Sequence, residues 1–141
     1  MTALFEHSPW VEARAASRRH ADLMAAVYDA TPEEQLGLIR AHPELAGKAA
    51  VDGSLTEASA AEQASAGLDR LTQAEFDRFH ALNAAYGAKF DFPFIICVRL
   101  TDKAGILAAM ERRLANDRDT EIATALDEIG KIVRLRLETI T

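Results

Sequence analysis

The chain has 141 residues, 49% of them apolar, and a formal net charge of −6. That length suits one soluble domain burying roughly two thirds of its unfolded surface, and 4 prolines with 7 glycines are too few for a long disordered linker. The acidic balance, with no lysine and arginine run interleaved with aromatics, excludes general binding to phosphate backbones, so no nucleic-acid partner is expected.

The opening stretch, Met1-Thr2-Ala3-Leu4-Phe5-Glu6-His7, has neither a basic start nor a long apolar core and does not read as a secretory signal. No uninterrupted apolar run is long enough to span a bilayer, so the expectation is no membrane and a cytoplasmic location. Ser8-Pro9 supplies an N-cap and a first-turn proline for a helix running to about Asp29, with Trp10, Ala13, Ala16-Ser17, Leu23, Val27 and Tyr28 on an interrupted apolar face. Thr31-Pro32-Glu33-Glu34 is a capping box that opens a short helix to about Ala41, stopped by His42-Pro43. Residues 43–54 read as a loop containing Gly47 and Gly53. An alanine-rich helix starts at Ser54 to Thr56 and passes through Ser59, Glu62 and Gln63, with Gly67 weakening its later part. Thr72-Gln73-Ala74-Glu75 is another capping box; behind it Phe76, Phe79, Leu82, Asn83 and Tyr86 recur at three- and four-residue steps. The run Lys89 to Leu100 has strand propensity but no partner strand elsewhere, so a buried extended segment or short helix is expected there. Asp102 caps a helix to about Asn116, and Asp117 or Asp119 caps the last, which runs to about Glu138 on a stripe of Ile122, Leu126, Ile129, Ile132, Val133 and Leu137. The pattern predicts an all-α fold: a single compact multi-helix domain over residues 1–141, of six or more helices, the longer ones at the ends.

Three places in this plan carry chemistry. A proline restricts the residue before it to extended conformations, so His42 leaves the helix axis and faces something outside it, or else caps the last carbonyls of its own helix. Ser59, Glu62 and Gln63 occupy i, i+3 and i+4 and share one helical face, which either displays them to solvent or holds a polar heterocycle. Arg136 follows Ile129 by seven residues and lies near the centre of the last helix's apolar stripe. It either snorkels its head to water or is held against the core to clamp a carboxylate with its two-pronged fork. Cys97, the only cysteine, lies in Phe94-Ile95-Ile96-Cys97-Val98 and reads as a buried core thiol. His7 and His20 read as solvent-facing and His80 as a surface or satisfied core histidine. No short-spaced ligand motif joins the histidines, so no metal site is expected.

Taken together, these segments resemble one family. His42-Pro43-Glu44-Leu45-Ala46-Gly47-Lys48 is similar to its HP(E/D)LAGK signature, Phe5-Glu6-His7-Ser8-Pro9-Trp10 to its N-terminal element, and Ser59-Ala60-Ala61-Glu62-Gln63 to its Ser-x-x-Glu-Gln segment. Leu82-Asn83-x-x-Tyr86, the run Lys89 to Arg99, and the ending Glu128 to Leu137 resemble its remaining motifs in order. The family is 2-oxo-4-hydroxy-4-carboxy-5-ureidoimidazoline (OHCU) decarboxylase, which forms (S)-allantoin in the last step from urate. The resemblance implies a cytoplasmic, stand-alone bacterial type of enzyme, all-helical, homodimeric, without cofactor or metal, acting on a small-molecule ureidoimidazoline. It implies His42 as the essential acid/base residue, Glu62 as its catalytic partner and Arg136 as a substrate-binding cation. Ser59 and Gln63 would bind the substrate's polar edge, Pro43 would line the pocket, and Phe94, Ile95, Ile96, Cys97 and Val98 would offer backbone hydrogen bonds. A lyase or hydrolase for another ureide would use the same pocket, whereas a helical interaction module would have no pocket uniting His42, Glu62 and Arg136.

Overall fold

The computed structural model describes residues 4–46 and 55–140, the side chains of 139 and 140 excepted. The described residues form α1 (Trp10–Arg14), α2 (His20–Tyr28), α3 (Pro32–Arg40), α4 (Glu57–Ser65), α5 (Gln73–Phe90), a 3-10 turn (Val98–Leu100), α6 (Lys103–Arg113) and α7 (Arg118–Ile140). Gly47, Lys48, Gly53 and Ser54, which the sequence places in a loop and a helix start, lie outside the described residues.

Capping explains most of the boundaries. Thr31 Oγ1 accepts from Glu34 N while Glu34 returns a bond to Thr31 N, and Thr72 with Glu75 repeats the arrangement at the start of α5. Thr56 and Asp102 cap α4 and α6. Of the two candidates for α7, Asp117 does the capping, accepting from Thr120 N at 2.7 Å. Gly67, at φ +80°, takes the left-handed conformation just past the end of α4.

The single helix expected from Ser8 to Asp29 is instead two. Ser8 does not cap it; its hydroxyl donates to Glu6 O, and Pro9 stands at the helix start without a side-chain cap. Ala15 is extended (ψ 145°), and Ser17 Oγ accepts from Arg19 N while donating to Asp22. A serine that bonds its own neighbouring backbone competes with the helix ladder, and here it wins. The long helices are therefore α5 and α7, of 18 and 23 residues, not the elements at both ends.

The core gathers Val11, Leu23, Val27, Leu38, Ile39, Phe79, Phe90, Phe94, Ile106, Met110, Ile129 and Val133. Tyr86 sits among the aromatics, 4.6 Å from the Phe90 ring and edge-on to Phe94 at 5.3 Å. α7 runs against α2 and α3, α4 against the 3-10 turn, and α5 against α6. Gly130 brings α7 close to α2, where a Cβ would stand 3.1 Å from Met24 Cε. His20 bridges the same crossing through Nε2 and Gly130 O at 2.8 Å, so it is a half-buried packing residue and not a solvent-facing one. Asp91 ends α5 in the left-handed conformation and is exposed; residues 93–97 then run without helix or strand, with Phe94, Ile95 and Cys97 buried, in keeping with an apolar run that has no partner strand.

Candidate active site

Three elements and one extended segment converge on a single cavity. It is lined by His42 and Pro43 after α3, by Ser59, Glu62 and Gln63 of α4, by Phe94, Ile95, Ile96, Cys97 and Val98 ahead of and within the 3-10 turn, and by Arg136 of α7. All eleven site residues read from the sequence are brought together. The interaction-module alternative, which required them to stay apart, loses its premise. Leu45, Arg99 and Ile132 complete the wall. The space is about 40 Å³, room for a few waters.

His42 both caps its helix and faces the cavity. Its ring nitrogen Nδ1 lies 2.9 Å from Leu38 O. A carbonyl only accepts, so Nδ1 carries the proton and Nε2 presents its lone pair. That Nε2 is buried and has no hydrogen-bond partner among the described residues. Burial pushes the imidazole down from 6.5 to about 4; the Leu38 bond and the Glu6 charge oppose this, while the charges of Arg136 and His7 add to it. His42 is thus neutral at pH 7. Desolvation outweighs the Glu6 charge, and Glu62's oxygens are taken by Arg136.

Arg136 points inward and is 3% exposed, so it does not snorkel to water. Its Nε and Nη2 donate to Glu62 Oε2 and Oε1 at 2.9 and 2.8 Å, a two-pronged pair. Nη2 also donates to Glu6 Oε1 at 2.8 Å, and Nη1 to Leu4 O at 3.2 Å. Burial disfavours the guanidinium charge, but the Glu62 and Glu6 contacts more than compensate and strengthen its hold on the proton.

The face Ser59-Glu62-Gln63 is turned into the protein, not to solvent: Ser59 and Gln63 are buried and Glu62 half-buried. Ser59 Oγ donates to Glu6 Oε1 at 2.5 Å. Gln63 Oε1 accepts from Ala46 N at 3.0 Å, fixing the chain that leaves His42. Nearby, Asn83 Nδ2 donates to Leu45 O at 2.9 Å, tying the same chain to α5.

The far wall is held from behind. Cys97 N donates to Glu128 Oε1 at 2.9 Å, and Ile95 O accepts from Arg113 Nη1 at 2.7 Å. Arg113 lies over the Phe94 ring at 4.3 Å and pairs with the fully buried Glu121, which also receives the Tyr86 hydroxyl. Two of the backbone groups expected to face a ligand are therefore committed to the wall itself. The Cys97 thiol is pushed up by burial and is a core group, as expected.

Glu6 is the residue the sequence reading missed. It is almost wholly buried, and its carboxylate accepts from Ser59, Thr56 and Arg136. Burial pushes its pKa up, but the Ser59, Arg136 and Thr56 bonds pull it below the usual carboxylate range. The one available signal was an acidic residue set directly behind Leu4-Phe5 in the N-terminal motif.

An all-α domain whose buried histidine shares a cavity with an arginine and the glutamate it pairs with, a second glutamate standing behind them, defines a small-molecule enzyme site, not a docking surface. The OHCU decarboxylase family model matches residues 1–138, and the chain belongs to that family. It is 44% identical to the 2-oxo-4-hydroxy-4-carboxy-5-ureidoimidazoline decarboxylase of Haloferax volcanii, over 95% of this chain and 82% of that one. It is 38% identical to the uric acid degradation bifunctional protein PucL of Bacillus subtilis, over 98% of this chain but 29% of that one. Among solved structures, an (S)-allantoin synthase superposes with a TM-score of 0.73 at 28% identity, covering 97% of this chain and 46% of that one. An OHCU decarboxylase solved in the presence of (S)-allantoin shares the fold, with a TM-score of 0.65 at 23% identity over 92% and 94% of the two chains.

Proposed function

We propose that this chain converts 2-oxo-4-hydroxy-4-carboxy-5-ureidoimidazoline to (S)-allantoin and carbon dioxide without a cofactor. The observation that carries the reading is the unpartnered Nε2 of neutral His42, buried in the cavity it shares with the Glu62–Arg136 pair. Family membership supplies the substrate class.

The substrate contains its own electron sink. The bond from C4 to the carboxylate breaks, its electron pair forms C4=C5, and the C5=N pair moves to nitrogen, which takes a proton. The 4-hydroxyl then gives up its proton as C5 receives one, leaving C4=O; one proton is consumed overall. A sink such as pyridoxal phosphate would duplicate what the substrate holds. The protein's tasks are orientation and proton transfer.

His42 Nε2 is suited to accept the 4-hydroxyl proton, because the Leu38 bond fixes the ring as a base on the cavity side. Glu62 is the second proton carrier and Arg136 binds the anionic edge. Ser59 and Gln63 meet the ureido and hydroxyl groups, Pro43 shapes the wall, and residues 94–98 offer their remaining backbone groups. The enzyme is taken to act as a single domain over 1–141, on a free small molecule, as a homodimer in the cytoplasm. Among the described residues no helix is long and apolar enough to cross a membrane, and sedimentation of the purified protein tests the dimer.

The deciding experiment supplies freshly generated ureidoimidazoline to the protein in the presence of a chelator. The expected result is carbon dioxide release with the circular-dichroism signal of one allantoin enantiomer. Racemic allantoin at the spontaneous rate, or activity that chelation abolishes and a metal restores, would refute the reading.

A further inference from the structure

The two carboxylates on Arg136 are not equivalent. Glu6 has a side chain 1% exposed and is bonded from behind by Ser59 and Thr56. It does not line the cavity. Glu62 is a cavity wall, 12% exposed, and takes the Nε/Nη2 fork in the planar geometry a guanidinium offers to any carboxylate. One is an anchor and the other is in the way.

We propose that Glu62 in the free site occupies the subsite of the substrate's own carboxylate, and that binding is an exchange. The incoming carboxylate takes the Arg136 fork, Glu62 is released into the cavity that His42 lines, and Glu6 remains as the permanent counter-ion. The ligand's identity rests on the decarboxylase reading; the exchange rests on the geometry.

Two observations require movement. The free cavity, about 40 Å³, holds a few waters but no five-membered ring with its substituents. Charge points the same way: Arg136, Glu6 and Glu62 already sum to one negative charge, and His42 is neutral. A third carboxylate added without displacement would leave two buried negative charges unpaired, at a cost of several kcal/mol per ion. Substitution at the fork leaves that sum unchanged, but it pairs the incoming carboxylate and passes the excess charge to Glu62, the more exposed of the two glutamates (12% against 1%), where water can reach it.

The exchange gives Glu62 its role only when a substrate is present, because its oxygens are tied to Arg136 until a carboxylate arrives. It also removes an objection to placing an arginine on the leaving group. Binding that stabilises substrate as well as transition state does not speed the reaction, but here the new pair is offset by the broken Glu62 pair. Once carbon dioxide has left, the product has no carboxylate with which to hold the fork. Glu62 returns, and the ring is displaced.

The test uses two stable probes, hydantoin-5-acetate, a five-membered ureide ring bearing a carboxylate, and uncharged hydantoin, with calorimetric binding to the wild type and to Glu62→Gln. The wild type is expected to bind the acid and to bind hydantoin more weakly. Glu62→Gln, having lost the competing charge, should bind the acid tighter by about fivefold or more, the scale of one partly exposed ion pair, with hydantoin unchanged. Acid binding that is unchanged or weaker in the variant overturns the exchange, as does equal binding of the two probes by the wild type or failure of both proteins to bind the acid. If the variant does not fold, the two wild-type arms decide. Turnover of the ureidoimidazoline is measured separately, so an enzyme that decarboxylates without tighter acid binding in the variant loses the exchange alone. One that shows the exchange without turnover loses only the decarboxylase reading.

Discussion

His42 is held neutral by burial and aimed by one bond, and both facts have measurable consequences. Its folded pKa, about 4, lies below the ordinary 6.5. Between those values the unfolded chain binds a proton that the folded chain does not, so stability falls as pH drops from about 6.5 towards 4. The loss amounts to up to about 3 kcal/mol. Urea unfolding at several pH values should show that slope, and His42→Asn, which keeps a donor for Leu38 O but cannot ionise, should flatten it. The same variant has no basic nitrogen to face the cavity and should lose about 10²- to 10⁴-fold in kcat with its helical spectrum intact. Arg136→Lys keeps the charge without the fork, so steady-state kinetics should show KM raised more than kcat is lowered. At this scale the sequence was informative where a residue broke a rule: a histidine before proline, an arginine on an apolar stripe. On Glu6 it offered only the place behind Leu4-Phe5, since an acidic residue meets every surface expectation until its partner, 130 positions away, is known.

Helices with two-sided caps were legible in advance: α3 and α5 begin where their side chains say, and α6 does so on the one-sided cap of Asp102. α1 and α2 were not separable by composition. Ala15 to Arg19 contains no proline or glycine, and the break depends on Ser17 choosing Arg19 N and Asp22 over the helix ladder. Two glycines offer a check on local against tertiary control. Gly37 and Gly87 lie inside α3 and α5, and a Cβ at either would meet nothing within 4 Å. Gly37→Ala and Gly87→Ala should each stabilise the fold by about 0.5–1 kcal/mol in chemical unfolding. Thr72→Ala, which removes the cap and half of the capping box, should cost about 1 kcal/mol.

Across the whole molecule, the site is a clasp between segments some 130 residues apart. Leu4 O and Glu6 bind the guanidinium that α7 delivers, and Leu4 and Phe5 enter the core beside it. Deleting residues 1–6 should therefore cost both cooperative unfolding and activity, although it touches none of the eleven residues the sequence assigned to the pocket. A shortened protein with normal kcat and KM would show that the clasp is dispensable. The all-α class was readable from periodicity because each helix carries its own pattern. The clasp was not, because nothing local records which segments meet.

That clasp also fixes when the protein becomes itself during synthesis. Glu6 is made 130 residues before Arg136, so a growing polypeptide at ~5–20 residues per second carries the acid for on the order of ten seconds before its base exists. Until the last turns of α7 clear the ribosome, the N-terminal segment has a carboxylate that resists burial without a counter-charge. A product terminated before Arg136 therefore lacks the counter-charge that accompanies burial of Glu6, and with it of Leu4 and Phe5 alongside.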